Sequence, residues 1–252
     1  MLTLHALTTG YRHTIISQHL NATLPQGTLT ALLGTNGAGK STLLRTMARF
    51  QPPLAGSISW QGTDTAQLSA RQLARTMSVV LTFKPEAEAL TAAEVVEMGR
   101  IPYTTMLSGT SEADRQAVEQ AMQLTHTTPF ARRPISTLSD GERQRVFIAK
   151  ALAQNTPVIL LDEPTAFLDF PAKIATMRLL KKLAHDAQKT ILLSTHDVEL
   201  ALHMADNLWL LNQQTLTSGS PQLLAANGCI GRFFNTEGVQ FDAATMRFDM
   251  RD

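Results

Sequence analysis

Short apolar runs alternate with longer segments of helical periodicity along this chain. Four runs have the length of a strand and are apolar over most of their length: Thr28–Leu33, Met77–Leu81, Val158–Leu161 and Thr190–Leu193. Strands of this kind are buried on both faces, as in a parallel sheet that is covered by helices. The segment Ser41–Phe50 follows the first run with a helical pattern and stops before Pro52. The pattern therefore predicts an α/β core.

A second pattern separates the run that ends at Leu81 from the run that begins at Val158. Helical periodicity covers three segments in this region: Ala92–Gly99, Ser111–Leu124 and Gly141–Ala153. Ser111 precedes two acids within the next three positions, which is typical of a capped helix N-terminus. We therefore predict a helical subdomain inserted into the α/β core.

Two further regions complete the predicted organisation. The first 30 residues and Gly56–Gly62 are typical of a small β layer, and a short helix is predicted at Pro221–Ala226, followed by an irregular tail. The chain is predicted to be one domain over residues 1–252. Residues 1–82 and 156–252 are expected to form the core with its β layer, and residues 83–155 the helical subdomain.

The composition narrows the class of protein. Hydrophobic residues make up 44% and charged residues 17% of the chain, which suits a folded core and excludes a disordered chain. A net charge of +1 without runs of like charge gives no support to a strongly basic nucleic-acid surface. The single cysteine, Cys229, excludes an intrachain disulfide and a cysteine-rich metal site.

The N-terminal residues lack the pattern of a signal peptide. No apolar run approaches the roughly 20 residues that a membrane-spanning helix needs. We therefore expect a soluble, cytoplasmic chain, whose role at a membrane, if it has one, depends on a partner.

The first apolar run leads into a glycine-rich loop. Gly34–Ser41 matches the pattern G-x-x-x-x-G-K-S between a predicted strand and a predicted helix. Glycines let consecutive backbone N–H groups turn towards phosphate oxygens, and the N-terminus of the following helix favours the same anion. Lys40 is expected to reach the β- and γ-phosphates, and the Ser41 hydroxyl to bind Mg²⁺. The candidate nucleotide contacts in this loop are Gly34, Asn36, Gly37, Ala38, Gly39, Lys40, Ser41 and Thr42.

Two carboxylates, Asp162 and Glu163, directly follow the run Val158–Leu161. Alone, such a pair is as often a solvated turn as a site. With a phosphate loop upstream, Asp162 suits the carboxylate that Mg²⁺ requires beside water and phosphate oxygens. Glu163 is then placed to orient or deprotonate the attacking water. His196 follows another predicted strand and is expected to hydrogen-bond the γ-phosphate.

The segment Leu138–Arg145 has the sequence LSDGERQR and resembles the LSGGQ signature of the ATP-binding cassette (ABC) family. By itself it is a helix start, with Ser139 as the cap of a helix that begins at Gly141. Further family motifs have counterparts over nearly the whole chain: the adenine-stacking aromatic at Tyr11, the acidic strand end at Asp162–Thr165, the dimer-interface segment at Ala166–Asp169 and the switch histidine within Ser194–Asp197. The resemblance implies a P-loop NTPase (RecA-like) core with a small antiparallel β layer and an inserted helical subdomain.

The resemblance also implies that the ATP site is shared between two chains. In the family, the signature meets the γ-phosphate that is held by another subunit's phosphate loop. Ser139, Gly141 and Asp169 are therefore expected to contact nucleotide at the interface. The expected cofactors are ATP and Mg²⁺, and the expected partner is a second copy of this chain, or a similar chain, packed head-to-tail. ATP binding would close this dimer and hydrolysis would release it.

Three residues depart from the family pattern. Thr82 stands where most relatives have a glutamine that touches the metal site and links the core to the helical insert, and its hydroxyl is expected to serve the metal or a metal-bound water. Asp140 and Glu142 replace a glycine and a glutamine that are common in the signature. Because an acid beside a phosphate would repel it, Asp140 is expected to point away from the nucleotide. The other site residues are present, so we expect an active ATPase.

Three classes of ABC protein fit these motifs: an importer ATPase with separate permease subunits, a separate-subunit exporter or cell-division cassette, and a cassette that acts on nucleic acid or ribosomes. The spacing from Thr42 to Leu138 leaves no room for the long coiled coil of chromosome-maintenance relatives. Gly99–Thr104 and the signature most resemble the ATPases that import iron-siderophores, haem and cobalamin. Gly99–Thr104 also fits an ordinary helix-to-loop exit.

The importer interpretation implies further partners. Permease subunits are expected to contact the helical subdomain at the surface after Thr82, including Phe83–Leu90, and a substrate-binding protein acts indirectly through them. No nucleic-acid partner is expected. The chain is expected to be a peripheral protein at the cytoplasmic face of the plasma membrane.

Overall fold

The structure is a computed structural model that describes residues 1–12, 14–81, 89–104, 111–212 and 215–250. The strands are β1 Leu2–Tyr11, β2 Thr14–Leu24, β3 Leu29–Leu33, β4 Ala55–Trp60, β5 Thr63–Asp64, β6 Met77–Val80, β7 Val158–Leu161, β8 Thr190–Ser194, β9 Asn207–Leu211, β10 Leu216–Gly219, β11 Val239–Asp242 and β12 Arg247–Met250. The α-helices are α1 Lys40–Met47, α2 Ala70–Thr76, α3 Ala92–Glu97, α4 Glu112–Leu124, α5 Asp140–Ala153, α6 Phe170–Asp186, α7 Val198–Met204, α8 Pro221–Ala226 and α9 Cys229–Phe234. Short 3₁₀-helices lie at Thr65–Gln67, Met98–Arg100, Thr128–Phe130 and Ile135–Thr137.

A six-stranded sheet forms the centre of the fold, in the order β10-β9-β3-β8-β7-β6. All of its pairings are parallel except that of β10 with β9. Every residue of β3, β7 and β8 is buried, because these apolar strands are covered on both faces. The predicted parallel α/β core is confirmed, and β9 and β10 extend it beyond the predicted strands.

The predicted β layer is a four-stranded antiparallel sheet with the order β2-β1-β4-β5. Its apolar side chains share one cluster with α1 and with one face of the central sheet. Leu2, Leu4 and Leu7 of β1 belong to this cluster together with Leu43 and Leu44 of α1. The β layer therefore buries its apolar face against the helix that follows the phosphate loop.

Helices α3, α4 and α5 surround a separate apolar cluster that includes Val95, Val118 and Val146. Helix α4 begins with the predicted cap, since the Ser111 hydroxyl accepts a hydrogen bond from the Asp114 backbone N–H. Ile148, also on α5, belongs to the main core cluster instead. One helix thus joins the helical region to the core. The boundaries of the helical subdomain at residues 83 and 155 stay a prediction.

The turn after α3 is fixed to its neighbours by arginine side chains. Arg100 donates to the carbonyl of Ala153 at 2.6 Å and to Asp114 Oδ1 at 2.8 Å, and its guanidinium lies 4.0 Å from the Tyr103 ring centroid. Arg75 of α2 donates to the carbonyl of Pro102 at 3.0 Å. The segment Gly99–Thr104 is therefore the exit from a helix and also connects α2, α4 and α5 through side-chain contacts.

Several predicted boundaries need correction. Helix α1 ends at Met47 and not at Phe50, and α5 begins at Asp140 and not at Gly141. The tail is not irregular, because it forms α9 and a hairpin of β11 and β12 whose aromatic rings contact one another. Among the described residues, no helix combines the length and apolar character needed to cross a membrane.

Gly99 packs closely against α5, and this contact leads to a prediction about stability. A Cβ atom at this position would clash with the backbone carbonyl oxygen of Lys150. Gly99→Ala is expected to lower the free energy of unfolding by about 1–3 kcal/mol, because the 3₁₀-helix Met98–Arg100 and α5 would have to separate. Urea unfolding monitored by circular dichroism measures the change.

Gly231→Ala is the matched control, because the nearest atom to its added Cβ is the side-chain nitrogen of Asn235, at 3.3 Å, and not a backbone atom. It is expected to leave the free energy of unfolding unchanged or to raise it by up to about 1 kcal/mol, because alanine favours a helix more than glycine does. Equal values for the two variants would contradict the close contact of the 3₁₀-helix Met98–Arg100 with α5.

Candidate active site

The site lies where three parallel strands end together. In the sheet register, Ala31 of β3 and Leu161 of β7 both pair with Leu193 of β8. The residues that follow these positions therefore emerge at one edge of the sheet. They are the phosphate loop after β3, the carboxylates after β7 and the histidine after β8.

The phosphate loop has the backbone conformation that its glycines permit. Gly37 and Gly39 have φ angles of 78° and 97°, in the left-handed region. A Cβ atom on Gly39 would lie 2.5 Å from Cγ2 of Ile16. Helix α1 then begins at Lys40 without a side-chain cap. Its first backbone N–H groups are thus available to an anion.

The loop, the acidic strand end and the histidine border one pocket of about 260 Å³. Its border consists of Ile16, Asn36, Gly37, Ala38, Gly39, Lys40, Ser41, Thr42, Glu163 and His196. The sequence placed all of these residues in the site except Ile16, which comes from β2 in the other sheet. Only the packing of the β layer on α1 brings this side chain to the pocket.

Lys40 is buried, with 7% of its surface exposed. Its Nζ atom donates to the carbonyl oxygen of Gly34 at 2.9 Å. Burial lowers the pKa of Lys40, and the nearby carboxylates of Glu163 and Asp162 oppose that shift. The ammonium group is thus held at the pocket between a backbone carbonyl and two acids.

Glu163 combines an unusual backbone conformation with a close contact to His196. Its φ angle is 52°, and its Oε1 atom lies 3.1 Å from Nε2 of His196, within ion-pair distance but outside hydrogen-bond geometry. Burial raises the pKa of Glu163, while His196 and Lys40 act against this change. A carboxylate whose pKa is raised in a pocket has the properties of a general base.

Asp162 and Ser41 are the described residues that suit a Mg²⁺ ion. The Asp162 side chain is buried, with 4% of the residue exposed, and Ser41 borders the pocket. A carboxylate and a hydroxyl are hard oxygen donors, and Mg²⁺ usually takes few protein ligands beside water and phosphate oxygens. In the described part of the chain, no group of three or more His, Cys, Asp or Glu residues could hold a metal. The third predicted ligand, Thr82, lies outside the described residues.

Tyr11 lies at the end of β1 and is 46% exposed. Its hydroxyl accepts a hydrogen bond of 3.3 Å from the Thr42 hydroxyl. The ring is thereby tied to the phosphate loop beside the pocket, and an exposed aromatic face is suited to stacking on a planar base.

The signature residues lie at a separate place. The Ser139 hydroxyl caps α5 by accepting from the Glu142 N–H at 3.3 Å, and the Glu142 carboxylate accepts from the Ser139 N–H at 2.9 Å. Asp140 pairs with Arg143 on the same helix at 3.0 Å. Neither Ser139 nor Gly141 borders the pocket. Glu142 thus completes a capping box, a role that the S-x-x-E spacing could have revealed.

Gly141 packs against the segment that was predicted to cross the dimer interface. A Cβ atom on Gly141 would lie 3.2 Å from Cδ2 of Leu168. In the same segment, Asp169 caps α6 by accepting from the Ala172 N–H at 2.9 Å. The signature helix and this segment therefore contact each other outside the border of the pocket of their own chain.

Comparison with known proteins identifies relatives of this chain. The profile of the ABC transporter family matches residues 17–166. A petrobactin import ATP-binding protein of Bacillus anthracis is 39% identical over 232 residues, which cover 92% of this chain and 85% of that protein.

Two solved structures share the fold. An inward-facing structure described as a metal-chelate type ABC transporter is 30% identical with a TM-score of 0.77, covering 88% of this chain and 84% of that chain. A dimeric ATP-binding cassette in a post-hydrolysis state, bound to ADP and Pi, is 28% identical with a TM-score of 0.78, covering 88% of this chain and 99% of that chain.

Proposed function

The chain belongs to the ABC transporter family, and on that basis we propose that it is the ATP-hydrolysing subunit of an importer whose permease is a separate chain. The observation that carries the proposal is the pocket in which the phosphate loop meets Glu163 and His196. This arrangement unites an anion-binding loop with a candidate base at one sheet edge.

The proposed reaction transfers the γ-phosphoryl group of ATP to water. The loop N–H groups and Lys40 hold the phosphates, and Glu163 accepts a proton from the attacking water. The water oxygen forms the new bond to the γ-phosphorus, and the bond to the β,γ-bridging oxygen breaks to leave ADP. His196 donates a hydrogen bond to the γ-phosphate from the end of the neighbouring strand β8.

Mg²⁺ would be held by Ser41 and Asp162, with Thr82 as a further candidate, and would neutralise charge on the phosphates. Tyr11 is proposed to stack on adenine, because its ring is exposed beside the loop. In this assignment the adenine ring contacts Tyr11 of the β layer, whereas the phosphates contact the loop that follows β3 of the central sheet. Nucleotide binding then fixes the β layer relative to the core.

The active form is proposed to be a head-to-tail homodimer. Ser139 and Gly141 lie outside the pocket of their own chain but begin a helix, whose N-terminus favours an anion. A second copy would bring this helix start and Asp169 to the nucleotide. A dimeric structure of a related cassette with ADP and Pi supports this assembly.

The proposed cargo is a metal chelate of the iron-siderophore, haem or cobalamin class. A relative named for petrobactin import and a solved structure of metal-chelate type support this choice over a separate-subunit exporter and over a cassette that acts on nucleic acid or ribosomes. The permease is proposed to contact the helical subdomain near Phe83–Leu90, of which residues 83–88 lie outside the described residues. A substrate-binding protein would deliver the cargo, with this chain at the cytoplasmic face of the membrane.

Glu163→Gln tests the proposed base. Glutamine keeps the shape of the side chain but cannot accept the proton from water, so turnover is expected to fall by roughly 10²–10⁴-fold. ATP affinity should stay within a few-fold of the parent, and the variant should accumulate as an ATP-bound dimer in size-exclusion chromatography. Glu119→Gln, an exposed change on α4, is the control. A Glu163→Gln protein that hydrolyses ATP at the parent rate would falsify the assignment.

A comparison of two serines distinguishes the proposed role of Ser139 at the nucleotide from its role as a helix cap. Ser139 and Ser69 each cap a helix through a complete capping box. Ser139→Ala and Ser69→Ala are therefore expected to cost similar stability, about 0.5–2 kcal/mol. Only Ser139→Ala should lower ATPase activity, by about tenfold, and weaken ATP-dependent dimerisation. Equal ATPase losses in both variants would mean that Ser139 acts through stability alone.

The cargo proposal is tested in the complete transporter. The chain, purified with its permease in proteoliposomes, is expected to hydrolyse ATP faster when a loaded binding protein is added, and to accumulate an iron-siderophore, haem or cobalamin in the lumen. The same vesicles with Glu163→Gln serve as the control. Uptake of none of these chelates, or co-purification of the chain with ribosomes or DNA, would contradict the importer assignment.

A further inference from the structure

Resting on the function proposed above, we propose that Ser194 is a positioning residue for ATP hydrolysis, whose single hydroxyl orients Asp162 and holds the backbone of Glu163. Sequence comparison placed Ser194 in the motif of His196 without a role of its own. The structure places its Oγ atom between the two acidic residues.

Ser194 is the last residue of β8 and has no exposed surface. Its hydroxyl donates to Oδ1 of Asp162 at 2.7 Å and accepts from the N–H of Glu163 at 2.9 Å. A serine hydroxyl has one hydrogen to donate and lone pairs to accept with. Ser194 donates its hydrogen to Asp162 and accepts with a lone pair from Glu163, and these two residues directly follow β7.

The bond to Asp162 restricts the rotation of its carboxylate about the side-chain torsions. The Asp162 N–H is already bonded to the carbonyl of Val80 on the other neighbouring strand, at 2.7 Å. The Asp162 backbone is thus held from β6 and its carboxylate from β8. A hydrogen bond to an ionised group is stronger than a neutral one, which makes Ser194 an effective support.

The bond to Glu163 supports an unfavourable backbone conformation. Its φ angle of 52° lies in the left-handed region, which a side chain with a Cβ atom rarely adopts. Ser194 pairs the N–H of this residue, while His196 lies 3.1 Å from the Oε1 atom of its side chain. Ser194 and His196, at the end of β8, therefore contact both the backbone and the carboxylate of Glu163.

Ser194→Ala removes the hydroxyl, and Ser194→Cys replaces it with a weak donor of similar shape. Both are expected to lower kcat by at least tenfold while the KM for ATP changes less than threefold, because the phosphate loop is untouched. Mn²⁺ bound to the ADP-loaded protein, titrated by electron paramagnetic resonance, should lose at least fivefold in affinity. ADP affinity in the presence of EDTA should stay within twofold.

Thr190→Val is the matched control on the same strand. Thr190 is equally buried, and its hydroxyl has no hydrogen-bond partner among the described residues. It is expected to keep the parent kcat and Mn²⁺ affinity. Parent-like kcat and Mn²⁺ affinity in Ser194→Ala or Ser194→Cys would overturn the proposal, as would equal losses in Thr190→Val. If Ser194→Ala does not fold, Ser194→Cys alone decides between these outcomes.

Discussion

The parallel pairing of β3, β7 and β8 is the constraint on which the rest of the site depends. These strands are buried along their whole length and contain no charged residue, so the charged groups of the site follow the ends of the strands. The shared register brings the three ends together and places an anion-binding loop, two acids and a histidine around one pocket. The chemistry of the site is thus a consequence of sheet alignment.

Sequence reasoning reached the parts of this arrangement that local pattern determines. The apolar runs identified four parallel strands, and the glycine spacing identified the loop. It did not reach Ile16 or the bonds of Ser194, because these depend on how separate elements pack and register. The Phe241–Phe248 contact likewise forms only when the hairpin closes, so the tail read as irregular. Local sequence therefore predicted which residues form the site better than it predicted the contacts that hold them in place.

The fold separates the phosphate loop from the signature helix. Helix α5 carries the signature at its start, contributes Val146 to the helical cluster and contributes Ile148 to the main core. At its other end, Arg100 donates to the carbonyl of Ala153. A rigid element of this kind can transmit a displacement between nucleotide and the helical region. That arrangement is what a transporter ATPase requires if closure around ATP is to move a membrane partner.

Each chain is proposed to supply half of an ATP site, and mixed dimers test this composite site most directly. Lys40→Ala disables the phosphate loop, and Ser139→Asp retains a helix cap but sets a negative charge towards the γ-phosphate. Each variant alone should be nearly inactive. Mixing them should restore ATPase activity above the sum of the separate preparations, because a mixed dimer contains one intact composite site. No increase on mixing, with mixed dimers demonstrated by mass spectrometry, would contradict the account.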